Sequence, residues 1–175
     1  VDGHAGQVGY MLQRDLLLPW RSIMDNITLS ATLHGVPKRE AQRAAQPFID
    51  RCGLHGFEQC RPHQLSGGMR QRAALLRTLL TGRELLLLDE PFGALDAITR
   101  LQLQMTLTEV WQETRRTILF VTHDVEEALL LSDEIIVLTE RPGRVRARVK
   151  VELPRPRKPE ALASHALMSL KEQLM

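Results

Sequence analysis

Leu85-Leu86-Leu87-Leu88-Asp89-Glu90-Pro91 constrains the fold more than any other stretch of the chain. A short run that is apolar at every position, rather than at alternate ones, is the pattern of a strand covered on both faces in a parallel sheet. The segments after it keep the same rhythm. A helix is predicted from 97 to 114, a strand from 117 to 121, a short helix from 124 to 131 and a strand from 134 to 138. Strands and helices in alternation make this an α/β chain with a parallel sheet. Pro142-Gly143 then turns the chain back into an edge strand from 145 to 151, expected to be antiparallel.

The first half reads differently. A buried strand from 8 to 12 ends at Gln13, and helical territory follows, with Asp25 or Asn26 near a helix start. A second helical segment, 37 to 52, is closed by Gly53; Pro47 lies inside it, where a break is expected. Another helix begins near Ser66, with Ala73, Leu76 and Leu80 on one face. The tail from 153 carries Pro154, Pro156 and Pro159 and then a short amphipathic helix over 161–174. An all-helical insert thus interrupts an α/β core. The 175 residues suffice for one domain with a real core. A net charge of +2 implies no nucleic-acid partner, and no apolar run approaches the ~20 residues that span a bilayer. Cys52 and Cys60 are too few for a disulfide framework.

Three stretches carry chemistry. An apolar strand ending in Asp89 and Glu90 delivers both carboxylates to the carboxyl edge of a sheet, where open α/β folds bind ligands. A carboxylate there suits Mg²⁺ through water, and its neighbour suits the orientation of an attacking water. Taken alone, the segment reads equally as a strand end with solvated acids. In Leu65-Ser66-Gly67-Gly68-Met69, a capping serine and two glycines expose backbone N–H groups at a helix start, an anion site by geometry and dipole. Alone, it is an ordinary capping turn. His123 follows the third strand and suits a hydrogen bond to a phosphate oxygen; a lone histidine is more often structural. His123, Glu126 and Glu127 do not form H-E-x-x-H, which excludes a metalloprotease of that kind.

Ser66 precedes Asp89 by 23 residues and Glu90 precedes His123 by 33. In this order and spacing the chain resembles the ABC ATPase family over essentially its whole length. Residues 65–72 resemble the signature motif, 85–90 the Walker B strand, and Ala94-Leu95-Asp96 the D-loop. His123 resembles the switch histidine and Gln13 the Q-loop glutamine. The resemblance implies a truncated P-loop NTPase core, RecA-like, over 1–15 and 81–152. It further implies a helical subdomain with the signature over 16–80, and a tail over 153–175.

By the same resemblance, ATP and Mg²⁺ are the cofactors. Asp89 would serve Mg²⁺, Glu90 the attacking water and His123 the γ-phosphate. Gln13 would link Mg²⁺ and the water to the helical insert. Ser66, Gly67, Gly68 and Asp96 would meet the nucleotide of a second ATPase subunit in a head-to-tail dimer. The helical subdomain would dock on a transmembrane permease at the cytoplasmic face of the membrane, and a solute-binding protein would act indirectly. Leu17-Leu18-Pro19-Trp20-Arg21, Arg141-Pro142-Gly143-Arg144-Val145 and Leu153-Pro154-Arg155-Pro156-Arg157 resemble the importer branch for nitrate, sulfonates and taurine.

Two departures stand out. Met69 occupies a position where the commonest signature has glutamine. None of the four lysines (Lys38, Lys150, Lys158, Lys171) follows a glycine, so the phosphate-gripping loop G-x-x-x-x-G-K is missing, and the chain reads as a fragment expected to be inactive alone. Two alternatives stand beside the ATPase: a non-catalytic partner that donates only its signature, and a soluble ABC ATPase outside transport. From Arg141 to Lys158, eight basic residues face one acid, Glu152, and read as a solvated edge and tail. Trp20 and Trp111 read as packing residues.

Overall fold

The Leu85–Leu88 run becomes the middle strand of a three-stranded parallel sheet. In a computed structural model that describes residues 7–93, 95–160, 167, 168, 170 and 171, β1 (Val8–Met11), β2 (Leu85–Asp89) and β3 (Thr117–Val121) pair in the order β1-β2-β3. The register sets Met11 beside Leu88, and Asp89 beside Val121. Gly9 sits opposite Leu86 because nothing larger fits: a Cβ there would lie 2.6 Å from Leu86 Cδ2 and 2.7 Å from Thr81 Oγ1. The chain divides into two compact units, Val1–Val121 and Thr122–Met175.

Within the first unit, α1 (Ile23–Ile27), α2 (Leu29–Leu33), α3 (Lys38–Arg51) and α4 (Gly67–Leu79) separate β1 from β2, and α5 (Ala97–Thr114) crosses from β2 to β3. The starts are written in the sequence. Ser22, Ser66 and Asp96 each accept a backbone N–H from the first turn of the helix they cap. Asp25 and Asn26 do stand near the start of α1, and the residue that caps it is Ser22. Asn26 is fully buried, and its side chain pairs with both backbone groups of Leu18, at 2.7 and 3.1 Å. Nor does α3 break at Pro47. Arg43 and Pro47 both lie on its exposed face, so the carbonyl left without an N–H partner meets water.

The sheet departs from expectation in its cover. On one face Met11, Leu86 and Leu88 are buried, and α4 packs against β1 on that side. On the other, Leu85 and Leu87 are only half-buried, and Tyr10, Leu119 and Val121 are 53%, 55% and 51% exposed. The helices of this unit shield one face of the sheet and leave the other open.

The second unit consists of α6 (Val125–Leu131) and an antiparallel pair, β4 (Glu134–Leu138) and β5 (Val145–Lys150), so β4 pairs with the edge strand rather than extending the parallel order. Leu129, Val151 and Leu167 form its core, with Ile135, Val137 and Val149 packed against them. The basic tail is not wholly solvated as the sequence suggested. Arg157 is buried and donates to the carbonyls of Leu129, Ser132, Val151 and Leu153, while Arg155 pairs with Asp133 at 2.8 Å and also donates to the Leu131 carbonyl. Backbone acceptors freed at the end of α6 and after β5 draw the two guanidiniums in. The tail helix expected over 161–174 falls largely outside the described residues; Leu167, Met168, Leu170 and Lys171 are helical.

Candidate functional site

Two strands of a parallel sheet end on the same edge, and the register makes the consequence specific. Met11 is paired with Leu88, so Gln13 and Glu90 each stand two residues beyond a matched pair. Their side chains meet there: Gln13 Nε2 donates to Glu90 Oε2 at 3.2 Å. Asp89 closes β2 opposite Val121 and is half-buried.

Glu90 is bent out of the strand. Its φ of +44° is a left-handed conformation that a non-glycine residue holds at a cost of about 1–3 kcal/mol. Three contacts hold it. Its N–H donates to the Val121 carbonyl at 2.9 Å, and its own carbonyl accepts from Gly93 N–H at 3.2 Å. Phe92, fully buried, seats the turn with its ring 5.9 Å from that of Phe120. Strand alternation sends Asp89 and Glu90 to opposite faces and puts Glu90 on the same face as Gln13, each two residues past the Met11–Leu88 pair; in the bent conformation the two are within hydrogen-bond reach. Strain of this kind, held by surrounding packing, is common where a side chain must be aimed.

Ser66 and the two glycines open α4. The Ser66 hydroxyl accepts from Met69 N–H at 3.3 Å, and both Ser66 and Gly67 are exposed. Gly68 is confined: a Cβ there would lie 3.3 Å from Leu95 Cδ2. The glycine turn is therefore packed against the segment that leads into Asp96. Asp96 caps α5, accepting from Thr99 N–H at 3.0 Å, and that bond with the Thr99 side chain holds its carboxyl below the usual range. Ala94, also in the D-loop stretch, lies outside the described residues.

His123 belongs to the second unit, where it is exposed in the turn between β3 and α6. That turn is fixed by its neighbours. Thr122 Oγ1 donates to buried Glu127 at 2.7 Å, Asp124 N–H donates to Thr122 Oγ1 at 3.0 Å, and Asp124 caps α6.

Sequence reasoning missed the residues that hold Gln13's neighbourhood. Asp15 pairs with Arg70 at 3.0 Å, and Arg77 donates to the carbonyls of Leu16 and Asp15, each at 2.7 Å. These partners lie 55 or more residues apart in sequence, and no spacing rule joins them. The signal available was weak: an acid two positions after the glutamine, and arginines on one helix. The arrangement as a whole brings two carboxylates, an amide and a glycine turn exposed at Ser66 and Gly67 to one unit. Carboxylates at the carboxyl edge of the sheet, one of them held by an amide, suit a hydrated divalent cation and a polarised water.

Comparison with known proteins identifies the family. Residues 2–93 match the profile of a family described as ABC transporter. The chain is 49% identical over 157 residues to an uncharacterized ABC transporter ATP-binding protein of Methanocaldococcus jannaschii, covering 90% of this chain and 59% of that protein. It is 45% identical over 171 residues to the formylaminopyrimidine import ATP-binding protein ThiZ of Halalkalibacterium halodurans, covering 97% and 69%. With the taurine import ATP-binding protein TauB of Escherichia coli K12 the identity is 42% over 155 residues, covering 89% and 61%. A solved dimeric, post-hydrolysis state of an ATP-binding cassette bound to ADP and Pi superposes with a TM-score of 0.74 at 28% identity, over 85% of this chain and 64% of that one.

Proposed function

The chain belongs to the ABC transporter ATP-binding family, and we propose that it serves as the ATP-hydrolysing subunit of an importer for a small solute. The observation that carries this reading is the hydrogen bond from Gln13 to the strained Glu90 at the carboxyl edge of the sheet. A carboxylate there is placed to orient or deprotonate a water for attack on a phosphoryl group, a reaction whose catalysis is almost entirely positioning and charge stabilisation. Asp89 supplies the oxygen for Mg²⁺, which would offset phosphate charge when bound. Gln13 holds the Glu90 carboxylate and so restricts where the water sits. His123, from the turn after β3, is proposed to bond the γ-phosphate.

The Ser66-Gly67-Gly68 turn, exposed at Ser66 and Gly67, and exposed Asp96 are proposed to face the nucleotide of a second ATPase subunit, head to tail. Support comes from their exposure and from the dimeric state of the similar cassette. Residues 16–80 are assigned as the helical insert that docks on a permease, inside a core of 1–15 and 81–152, with 153–175 as the tail. No helix among the described residues is long and apolar enough to cross a membrane. A peripheral place on the cytoplasmic face, reached through the permease, is proposed from the printed import roles of the ThiZ and TauB relatives. The importer assignment draws on the printed roles of the ThiZ and TauB relatives and on the loops Leu17–Arg21 and Arg141–Val145.

The test is Glu90→Gln in the full-length protein. Turnover of Mg-ATP should fall by on the order of 10²–10⁴-fold, the usual contribution of a positioned general base. A variant within about threefold of wild type would give Glu90 another role.

A further inference from the structure

The segment after Gln13 is held by side chains from the far end of the helical region, and the holding is specific. Asp15 uses both oxygens: Oδ1 accepts from Leu17 N–H at 3.2 Å and Oδ2 from Arg70 Nε at 3.0 Å. Arg77 forks its two terminal nitrogens over the consecutive carbonyls of Leu16 and Asp15. Leu16 sits at φ +43°, so the fork holds a conformation that leucine adopts unwillingly. Arg70 reaches the other way as well, donating from Nη1 to the Leu65 carbonyl at 2.8 Å, one residue before Ser66. A hydrogen bond therefore ties the Glu90 carboxylate to Gln13, two residues of backbone carry the path on to Asp15, and Arg70 joins Asp15 to the residue that precedes Ser66.

We propose that Asp15, Arg70 and Arg77 are positioning residues that make the grip of Gln13 on Glu90 depend on where α4 stands. The carboxylate used for hydrolysis and the Ser66–Gly68 turn are then set together. The inference rests on hydrolysis at Glu90 as proposed above. Its physical basis is sensitivity to distance. At 3.2 Å the Gln13–Glu90 bond is already at the long end of the N–H···O range, so a shift of about half an ångström in the strap abolishes it. The Asp15–Arg70 pair, with side chains 30% and 35% exposed, contributes little to stability in such a setting. Its effect falls on the register of the strap against α4. Arg77 has less freedom, being half-buried and bonded to two consecutive carbonyls at 2.7 Å each.

The experiment measures steady-state Mg-ATP hydrolysis by the full-length protein as wild type, Asp15→Asn, Arg70→Ala and the double variant, with Glu90→Gln alongside. Asp15→Asn is isosteric and keeps an acceptor for Leu17 N–H, so it guards against a merely unfolded Arg70→Ala. Each single variant should lose about 3- to 10-fold in kcat, the scale of coupling changes made away from the reacting atoms. KM should stay within about twofold and the thermal midpoint within about 2 °C, as a loss of positioning requires. The double variant should be no worse than the worse single, because both break one path. Unchanged kcat in both singles, multiplying losses in the double, or loss that follows the thermal midpoint would each overturn the coupling. If Glu90→Gln also leaves turnover unchanged, the proposed site fails and the coupling with it. A Glu90-dependent activity indifferent to Asp15 and Arg70 overturns the coupling alone.

Discussion

Cys52 and Cys60 lie eight positions apart and differ in reactivity for a reason visible at each sulfur. Burial pushes the Cys52 thiol up to about 11, against the opposing pull of Arg72 and Arg51. At pH 8 only about one molecule in a thousand carries the Cys52 thiolate, the form that reacts. Iodoacetamide at that pH should label half-buried Cys60 first and reach Cys52 only after unfolding. Peptide mass spectrometry would show this, and equal labelling rates in the native chain would contradict it. Trp20 is a second case of context deciding a residue. It reads as a packing residue in the sequence, yet is 67% exposed, because the strap pinned by Asn26 and Arg77 buries Leu17 and turns Trp20 outward. Glu90 and Gln13 were legible because their types and order suffice to suggest them. The bend at Glu90 was not, since it depends on Val121 and Phe120 from a strand about 30 residues away.

Elements were legible wherever the signal was local. The Ser and Asp caps fix the starts of α4, α5 and α6, and the β2, β3 and β4 spans follow from their apolar runs. What escaped is what depends on neighbours: Pro47 is tolerated because of the face it occupies, and the basic tail becomes structural because carbonyls await it. Arg157 tests that second point. Four backbone carbonyls at the end of α6 and beyond β5 receive its guanidinium, and burial together with Arg155 lowers its pKa while Asp133 opposes. Arg157→Met keeps much of the volume and removes every donor. Buried acceptors left without partners cost about 1–3 kcal/mol each, so a loss of about 2–4 kcal/mol is expected even with partial hydration. Hydrogen exchange should quicken in β4 and β5 while β1 to β3 remain protected. Uniform exchange, or none, would show that the tail does not hold this unit together.

Across the first unit, the decisive feature is an unevenly covered sheet. Parallel sheets are ordinarily shielded on both faces, and the leucine run reads that way in the sequence. Here the face built from Val8, Tyr10, Leu119 and Val121, with half-buried Leu85 and Leu87 between them, meets solvent. Sequence periodicity reports how apolar a strand is; it cannot report whether cover is present. Each large apolar side chain left in water forgoes roughly 1.5–3 kcal/mol of burial, and whole domains are stable by only about 5–15 kcal/mol. Several such residues together consume much of that margin and form a continuous adhesive patch. The purified 175-residue chain should therefore bind a hydrophobic-surface dye, self-associate as concentration rises and melt over a broad range. Leu119→Thr with Val121→Thr removes apolar surface from two exposed strand positions while keeping β propensity at both. That variant should bind less dye and sediment closer to a monomer, with no loss in thermal midpoint. A monodisperse wild-type chain with a sharp transition and no dye binding would mean that this face is not a liability.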